Sequence, residues 1–131
     1  MIYSDLGLIT IGKVIEKAAR TTLDKFVDSV FFKPLGMNST MFNPPEKLWN
    51  RIAPTEVDTF WRKTGVAVRG RVHDENAATL GGVSGHAGLF SMVSDLSIMM
   101  QMLLNGGTYN GKRYIKEETV KKFIQRQSER S

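Results

Sequence analysis

Apolar residues recur every three or four positions in the first part of the chain, which is the spacing of one face of a helix. The members of this first stripe are Leu8, Ile11, Ile15 and Ala18. A second stripe begins at Leu23, directly after Thr22, whose hydroxyl can cap a helix. Pro34 ends the second helix, because the residue before a proline avoids the helical conformation. We therefore predict two neighbouring helices followed by a turn at 34–38.

The pattern changes between residues 43 and 93, where prolines, glycines and charged residues interrupt any sustained period. Only two short extended segments are predicted there, at 51–53 and 66–72. Four glycines fall within 81–88, which indicates unusual backbone angles or a close approach of two backbone segments. We predict that 43–93 is an irregular segment, and irregular segments of this length in compact domains are often functional.

Helical spacing returns at Ser94, a predicted N-cap that places Asp95 in the first turn. The end of this helix is predicted at Asn105-Gly106-Gly107, since these residues tolerate the left-handed conformation. Its predicted buried stripe consists of Leu96, Met99, Met100, Leu103 and Leu104.

Two further elements are predicted near the end of the chain. Asn110-Gly111 is a strong signal for a two-residue turn between two short strands. A last helix is predicted over 116–127, with Val120, Phe123 and Ile124 facing inward. The whole pattern predicts a chain that is mostly α with a few short strands.

Length and composition fit one globular domain. The chain has 131 residues, of which 41% are hydrophobic and 24% charged, so it carries enough apolar side chains to fill a core. It has no cysteine, which excludes disulfides, thiolate metal sites and a cysteine nucleophile. No apolar run approaches the roughly 18 residues of a membrane span. Met1 to Asp5 lacks the basic and apolar regions of a signal peptide, so we predict no signal peptide and no membrane span in this chain.

The net charge is +5, and the excess of basic residues lies towards the C-terminus. In the last predicted helix Glu117 and Glu118 precede Lys121 and Lys122 by four residues, which is the spacing of ion pairs on a solvated face. No aromatic or glycine-rich RNA-binding motif accompanies these cations. We therefore predict no nucleic-acid partner. An alternative function is kept open, a non-catalytic binding or structural helical module whose basic C-terminal helix contacts an anionic partner.

Three isolated patterns resemble catalytic or metal-binding motifs. Gly82-Val83-Ser84-Gly85-His86 has the form of a nucleophile elbow, but its fifth residue is His instead of Gly, so we interpret it as a glycine-rich turn. Lys63-Thr64-Gly65 has the letters of a catalytic triplet and lies in a charged loop, which favours a chance match. His73-Asp74-Glu75 and His86 lack the spacing of a helical ligand pair. We expect Asp74 and His73 to form hydrogen bonds that fix the loop, and we predict no metal site and no cofactor.

Tyr3 and Asp5 stand directly before the first predicted helix. A tyrosine there can act as a general base where a neighbouring lysine lowers its pKa, and Asp5 can hold that lysine. The stretch Tyr3-Ser4-Asp5-Leu6-Gly7 resembles the Tyr-x-Asn motif of the serine β-lactamase-like family, which includes class C β-lactamases, D-alanyl-D-alanine carboxypeptidases and related esterases. Further matching motifs follow in the family's order: Pro34-Leu35-Gly36-Met37, Gly88-Leu89-Phe90-Ser91, Asp95-Leu96 and Leu103-Leu104-Asn105-Gly106-Gly107.

The resemblance implies that residues 1–131 form a single partial domain, the helix-rich lobe of the family's α+β fold. Its catalytic candidates are Tyr3 and Asp5. Tyr3 would take the family tyrosine's part in proton transfer, and Asp5 replaces the family Asn, which keeps an acceptor oxygen and removes the amide donor. The glycine-rich stretch would lie at the rim of the substrate cleft. The cleft candidates on it are Ser84, His86 and Gly88.

The family's nucleophile has no counterpart in this chain. That nucleophile is the Ser of a Ser-x-x-Lys helix, and none of the serines here has a lysine three residues later. Without the hydroxyl and its lysine, acyl transfer has no first step. We therefore expect a fragment of a serine hydrolase that is inactive alone and has the remainder of the parent chain as its partner. We also expect self-association through the apolar face that such a fragment exposes.

The likeness is greatest to β-lactamase-like domains of Bacteroidetes-type proteins. Some of these domains follow a family 3 glycoside hydrolase domain of the β-N-acetylglucosaminidase type in the same chain. The resemblance then implies a parent protein exported to the periplasm or cell envelope. Its substrates would be amides or esters related to the cell wall, or glycosides where the fused domain acts on them.

Overall fold

The computed structural model describes residues 4–57 and 65–126 of the chain. Its helices are α1 (Asp5–Ala19), α2 (Leu23–Val27), α3 (Lys33–Leu35), α4 (Glu75–Thr79), α5 (Val93–Leu104) and α6 (Glu117–Ile124). Its strands form three two-stranded antiparallel ladders: β1 (Met41–Phe42) with β4 (Leu89–Phe90), β2 (Glu56–Val57) with β3 (Ala67–Val68), and β5 (Thr108–Tyr109) with β6 (Lys112–Arg113). The described chain is mostly helical with a few short strands, which confirms the predicted fold class.

The first two predicted helices are present, and a carboxylate joins them. The predicted cap, Thr22, precedes α2, but its side chain makes no capping hydrogen bond. The Oε1 atom of Glu16 instead accepts a hydrogen bond of 3.0 Å from the backbone N–H of Leu23, the first residue of α2. Lys13 pairs with the same carboxylate at 2.8 Å. The last turn of α1 therefore supplies the cap of α2 and fixes the two helices to each other.

The sequence predicted that the second helix ends before Pro34, and this prediction is wrong. A π-helical turn at Asp28–Phe32 follows α2, and α3 then includes Pro34. In a regular helix the proline ring would clash with the carbonyl four residues earlier, and the wider π turn relieves this clash. The helix ends at Gly36, which adopts φ 78°, with its N–H bonded to the carbonyl of Lys33. The left-handed glycine, and not the proline, is the residue that stops the helix.

The core lies between the α2–α3 segment and α5. Its buried members are Phe32, Leu35, Met37 and Met102. α5 begins at Val93, one residue before the predicted cap Ser94. It ends at Leu104, and Asn105 follows as its C-cap before two glycines with positive φ, so the helix stops at the predicted Asn105-Gly106-Gly107 signal. The buried face of α5 differs from the predicted one: Met102 is fully buried, whereas Leu104 is 80% exposed. Most positions of this helix are apolar, so spacing alone does not determine which face is buried.

Apolar side chains of α1 and α6 are exposed. On α1, Val14 is 61% exposed, and Ile11 is exposed beside it. On α6, Val120 is buried as predicted, but the prediction that Phe123 and Ile124 face inward is wrong, because Phe123 is 82% exposed and Ile124 is similarly open. No part of the chain within 4–57 and 65–126 covers these side chains. The amphipathic patterns therefore predicted the helices correctly and their burial incorrectly.

The irregular segment 43–93 contains more local structure than its pattern indicated. Residues Glu46–Arg51 form a 3₁₀ turn, and the short helix α4 follows Asp74, which caps it. The predicted extended segment 66–72 contains β3, which pairs with β2. The prediction at 51–53 is wrong, because the 3₁₀ turn ends at Arg51 and the strand β2 forms at Glu56–Val57 instead. The predicted two-residue turn is present, since Asn110 and Gly111 both have positive φ between β5 and β6. None of the helices in the described part of the chain is both long and apolar enough to span a membrane.

Candidate active site

Asp5 is the first residue of α1, and it belongs to the motif that resembles Tyr-x-Asn. Ser4 before it is extended, with φ −149° and ψ 130°, so the helix begins at Asp5 itself. The free N–H groups of a first helical turn stabilise a carboxylate at this position. Tyr3, the other catalytic candidate, lies outside the described residues.

Asp74 caps the short helix α4 and provides the second carboxylate of the site. Its Oδ1 atom accepts a hydrogen bond of 2.7 Å from the backbone N–H of Ala77, a fully buried residue. This bond, followed by a hydrogen bond from His86, holds the pKa of Asp74 below its ordinary value of 3.8. Asp74 is therefore ionised at neutral pH and has a fixed orientation.

His86 lies on the glycine-rich loop, and its side chain is only 2% exposed. Its Nε2 atom is 2.8 Å from Oδ1 of Asp74, and its Nδ1 atom is 2.8 Å from Oγ of Ser84. Because an ionised carboxylate can only accept, Nε2 carries a proton and donates to Asp74. In the neutral ring Nδ1 then accepts from the Ser84 hydroxyl. Both ring nitrogens are thus satisfied, and the ring has one orientation.

The hydrogen-bonded group of Ser84, His86 and Asp74 contains the residue types of a catalytic triad. Its arrangement, however, favours a structural role for the serine. Ser84 is buried, and its hydroxyl is directed at the histidine ring. It contacts Nδ1, and the carboxylate contacts Nε2, which reverses the usual assignment of the two nitrogens in serine proteases. The interpretation of 82–86 as a glycine-rich turn is consistent with this geometry.

The structure brings Asp5, Asp74 and His86 together, which the sequence did not reveal. Their potential ligand atoms all lie within 4.8 Å of one another. The loop and α1 also meet backbone to backbone: a Cβ on Gly85 would lie 2.2 Å from the carbonyl oxygen of Leu8. Only glycine allows this contact, so the close approach predicted for the loop is present. Asp74 was predicted only to fix the loop, and its place beside Asp5 is new.

Gly88, the last cleft candidate, has a backbone role in the described structure. It adopts φ 107°, and a Cβ there would lie 2.3 Å from the carbonyl oxygen of Gly82 and 3.3 Å from the ring of Phe42. Gly81 and Gly82 also have positive φ. These glycines fold the loop back on itself and thereby deliver His86 to α1. Of the Lys63-Thr64-Gly65 match, Lys63 and Thr64 lie outside the described residues.

An apolar groove of about 390 Å³ adjoins the site. Residues of α1 and α2 line it, together with Ser84 and His86 of the glycine-rich loop. The apolar side chains that line it are Leu8, Ile11, Ile15, Leu23, Val27, Phe32, Phe42 and Leu89. The polar cluster therefore lies at the edge of a surface suited to apolar contact.

Asp5, Asp74 and His86 are also the residues of the described chain whose donors could gather around a metal ion. Two features oppose a cation there. Each carboxylate lies at the start of a helix, where the free N–H groups favour an anion. In addition, both ring nitrogens of His86 already have hydrogen-bond partners, Asp74 at Nε2 and Ser84 at Nδ1. The absence of a metal site stays a prediction.

Comparison with known proteins identifies the family of this chain. The family model described as "Beta-lactamase" matches residues 1–130. The chain belongs to the β-lactamase family. Curated relatives named "Putative D-alanyl-D-alanine carboxypeptidase", from Salmonella paratyphi B and Salmonella newport, are 39% identical over 98% of the chain and 32% of their own length. The chain thus spans about a third of the length of these relatives.

Solved structures share the fold of this chain. An octameric penicillin-binding protein homologue from Pyrococcus abyssi superimposes with a TM-score of 0.64 over 95% of this chain and 25% of that one, at 21% identity. The D-amino acid amidase of Ochrobactrum anthropi SV3 gives a TM-score of 0.60 over 92% of this chain and 33% of that one, at 22% identity. The family and the helix-rich lobe inferred from the motifs are both confirmed.

Proposed function

We propose that this chain carries the Tyr-x-Asp portion of the active site of a serine hydrolase that cleaves D-alanyl-D-alanine-type amides, or related esters, of the cell wall. The observation that carries the proposal is the convergence of Asp5 with Asp74 and His86 at the start of α1. The 39% identity to proteins named as carboxypeptidases supports the choice of substrate. The family itself is that of cell-wall-related serine hydrolases and amidases.

The proposed roles follow from the chemistry of acyl transfer. A serine hydroxyl attacks the substrate carbonyl, an acyl-enzyme ester forms, and the amine leaves with a proton. Tyr3 would move the proton from the nucleophile to the leaving amine, with its pKa lowered by a lysine ammonium. Asp5 would hold that ammonium or accept an N–H of the substrate, since a carboxylate cannot donate.

The hydroxyl and the ammonium must come from polypeptide outside this chain. No serine of the chain is followed by lysine three residues later, and Ser84 is turned into the hydrogen-bonded cluster. We therefore infer that the 131 residues are a fragment in the functional sense and are inactive alone. The remainder of the hydrolase is the partner that would cover the exposed apolar stripe of α1.

Covalent labelling tests this proposal. The chain is incubated with a fluorophosphonate or a chromogenic β-lactam and analysed by intact-mass spectrometry. We expect no adduct on the 131-residue chain, and one adduct per molecule on a complete polypeptide that contains it together with a Ser-x-x-Lys helix. A stoichiometric adduct on any serine of the chain alone contradicts the assignment of the nucleophile. A complete polypeptide that neither labels nor cleaves a D-alanyl-D-alanine peptide contradicts the proposed reaction.

The location of the parent protein and its further domains belong to the same proposal. Relatives named as D-alanyl-D-alanine carboxypeptidases support a periplasmic or envelope location. A fused family 3 glycoside hydrolase domain would extend the substrates to glycosides. Sequencing the reading frame on both sides of this chain tests both points, since a leader, a Ser-x-x-Lys helix and a second domain are each recognisable there.

The alternative, a binding or structural module with a basic C-terminal helix, has weaker support. Lys121 on α6 is 2.7 Å from Glu117, and Lys116 is 3.8 Å from Glu118, so acidic partners on the same helix offset two of the cations. This alternative requires binding to an anionic polymer such as heparin that falls steeply with added salt. Absence of binding at low salt rejects it.

A further inference from the structure

The contacts of His86 give its ring a role that no motif assigns. The ring is nearly enclosed, with 2% of its side chain exposed, and both nitrogens are hydrogen-bonded at 2.8 Å. Burial of a polar ring stabilises a fold only where every polar atom has a partner. A leucine or phenylalanine would fill the same space without needing two partners. Because both nitrogens are bonded, the ring is satisfied in one orientation, and its direction is fixed.

The direction of the ring is towards the start of α1. Nε2 donates to Asp74, and a carboxylate oxygen of Asp5 lies within 4.8 Å of a ring nitrogen, a distance that one water molecule can bridge. The next residue back along the loop, Gly85, touches the carbonyl of Leu8 and the backbone of Gly12. The loop, the ring and the first turns of α1 are therefore held as one unit.

We propose that His86 is a positioning residue for the Tyr-x-Asp motif: held between Ser84 and Asp74, its ring fixes the carboxylate of Asp5 and the first turn of α1 that follows Tyr3. The inference rests on the proposed function, in which Tyr3 transfers the proton and Asp5 holds the lysine ammonium or accepts an N–H of the substrate. Asp74 aligns the Nε2 side of the ring, and Ser84 aligns the Nδ1 side. A small displacement of a proton-transferring group is sufficient to lower a rate strongly.

Two amide variants separate the two sides of the ring. In His86→Gln the amide reaches the place of Nε2 and can still donate to Asp74. In His86→Asn the shorter amide reaches only the place of Nδ1. The contact with Ser84 is kept, and Asp74 loses the hydrogen bond from residue 86. Both variants bury an amide at the same position, which makes each the stability control of the other.

The test uses the complete hydrolase with a D-alanyl-D-alanine-terminated peptide, and turnover is expressed per site titrated with a fluorophosphonate. We expect His86→Asn to lower kcat about 100-fold with KM changed less than about 3-fold, and His86→Gln to recover most of kcat. Titration removes the effect of misfolded molecules, so a purely structural role leaves kcat per titrated site unchanged.

The outcomes distinguish this inference from the function beneath it. If the wild-type hydrolase neither labels nor cleaves the peptide, the proposed function is wrong and the positioning role is wrong with it. If the wild type is active and His86→Asn keeps kcat within about 3-fold, only the positioning role is wrong. Equal losses of kcat in the two variants also reject the positioning role, because the hydrogen bond to Asp74, which only His86→Gln keeps, would then make no difference.

Discussion

Oδ2 of Asp95 on α5 lies 2.8 Å from the backbone nitrogen of Ser39, and this contact joins two distant parts of the chain. The same oxygen accepts the hydroxyl hydrogen bond of Thr40, also at 2.8 Å. Asp95 and Thr40 are both buried. The Asp-Leu signature that matched the family thus has a physical reason: its carboxylate satisfies the turn that follows α3.

Removal of this carboxylate is expected to destabilise the chain. Asp95→Ala removes the acceptor of the Ser39 N–H and leaves the buried Thr40 hydroxyl with Ser91 as its remaining partner, at a cost of about 1–3 kcal/mol in the free energy of unfolding. Urea unfolding followed by circular dichroism measures the change. Glu118→Ala, at an exposed position of α6, is the matched control and should change stability by less than about 0.5 kcal/mol. Equal effects of the two substitutions would show that the turn does not depend on Asp95.

The contact between the glycine-rich loop and α1 gives a second prediction. Gly85→Ala places a methyl group 2.2 Å from the Leu8 carbonyl, and neither backbone can yield without separating the loop from the helix. We expect Gly85→Ala to lower the free energy of unfolding by about 3 kcal/mol, which is the upper end of the usual cost of overpacking. Gly7→Ala is the control, since nothing lies within 4 Å of a Cβ there, and this substitution in α1 should stabilise by about 0.5–1 kcal/mol. Similar melting temperatures for the two variants would contradict the close approach.

The pKa of Asp74 predicts how stability depends on pH. Its folded-state pKa lies below 3.8, because the Ala77 N–H and His86 stabilise the carboxylate. The group therefore contributes stability above pH 3.8, and this contribution is lost as the pH falls below 3.8 towards the lowered value. Asp74→Asn keeps an oxygen for the cap and removes the charge. We expect it to be less stable than the wild type at pH 7 and to converge with it as the pH falls below 3.8, measured by thermal unfolding across pH. A constant difference over this range would show that the charge of Asp74 is not involved.

Sequence reasoning succeeded where the cause is local or where several motifs agree. The left-handed glycines after α5, Gly106 and Gly107, and the turn at Asn110-Gly111 follow from residues that tolerate those backbone angles. It failed where the outcome depends on distant parts of the chain. Phe123 has the spacing of a buried residue and is exposed, because nothing within the described ranges packs against that face of α6.

The same distinction applies to the site. Asp5 and His86 were both candidates, one from the resemblance to a catalytic motif and the other from a glycine-rich stretch. Their proximity depends on the fold of the loop, in which glycines with positive φ turn the backbone towards α1. The position of Asp74 could have been predicted in part, because an aspartate is a common cap at the start of a helix. In the structure this cap also orients the carboxylate towards His86.

The exposed apolar stripe of α1 predicts the behaviour of the chain in solution. An apolar face of this kind promotes association, so we expect dimers or larger species at high concentration by light scattering. Val14→Lys places a charge in the middle of the stripe and should shift the population towards monomer, because Val14 is 61% exposed and its replacement does not disturb the core. Lys17→Gln, also on α1, is the control for a change of charge and should leave the distribution unchanged. A monodisperse wild-type monomer at high concentration would mean that the stripe does not mediate self-association.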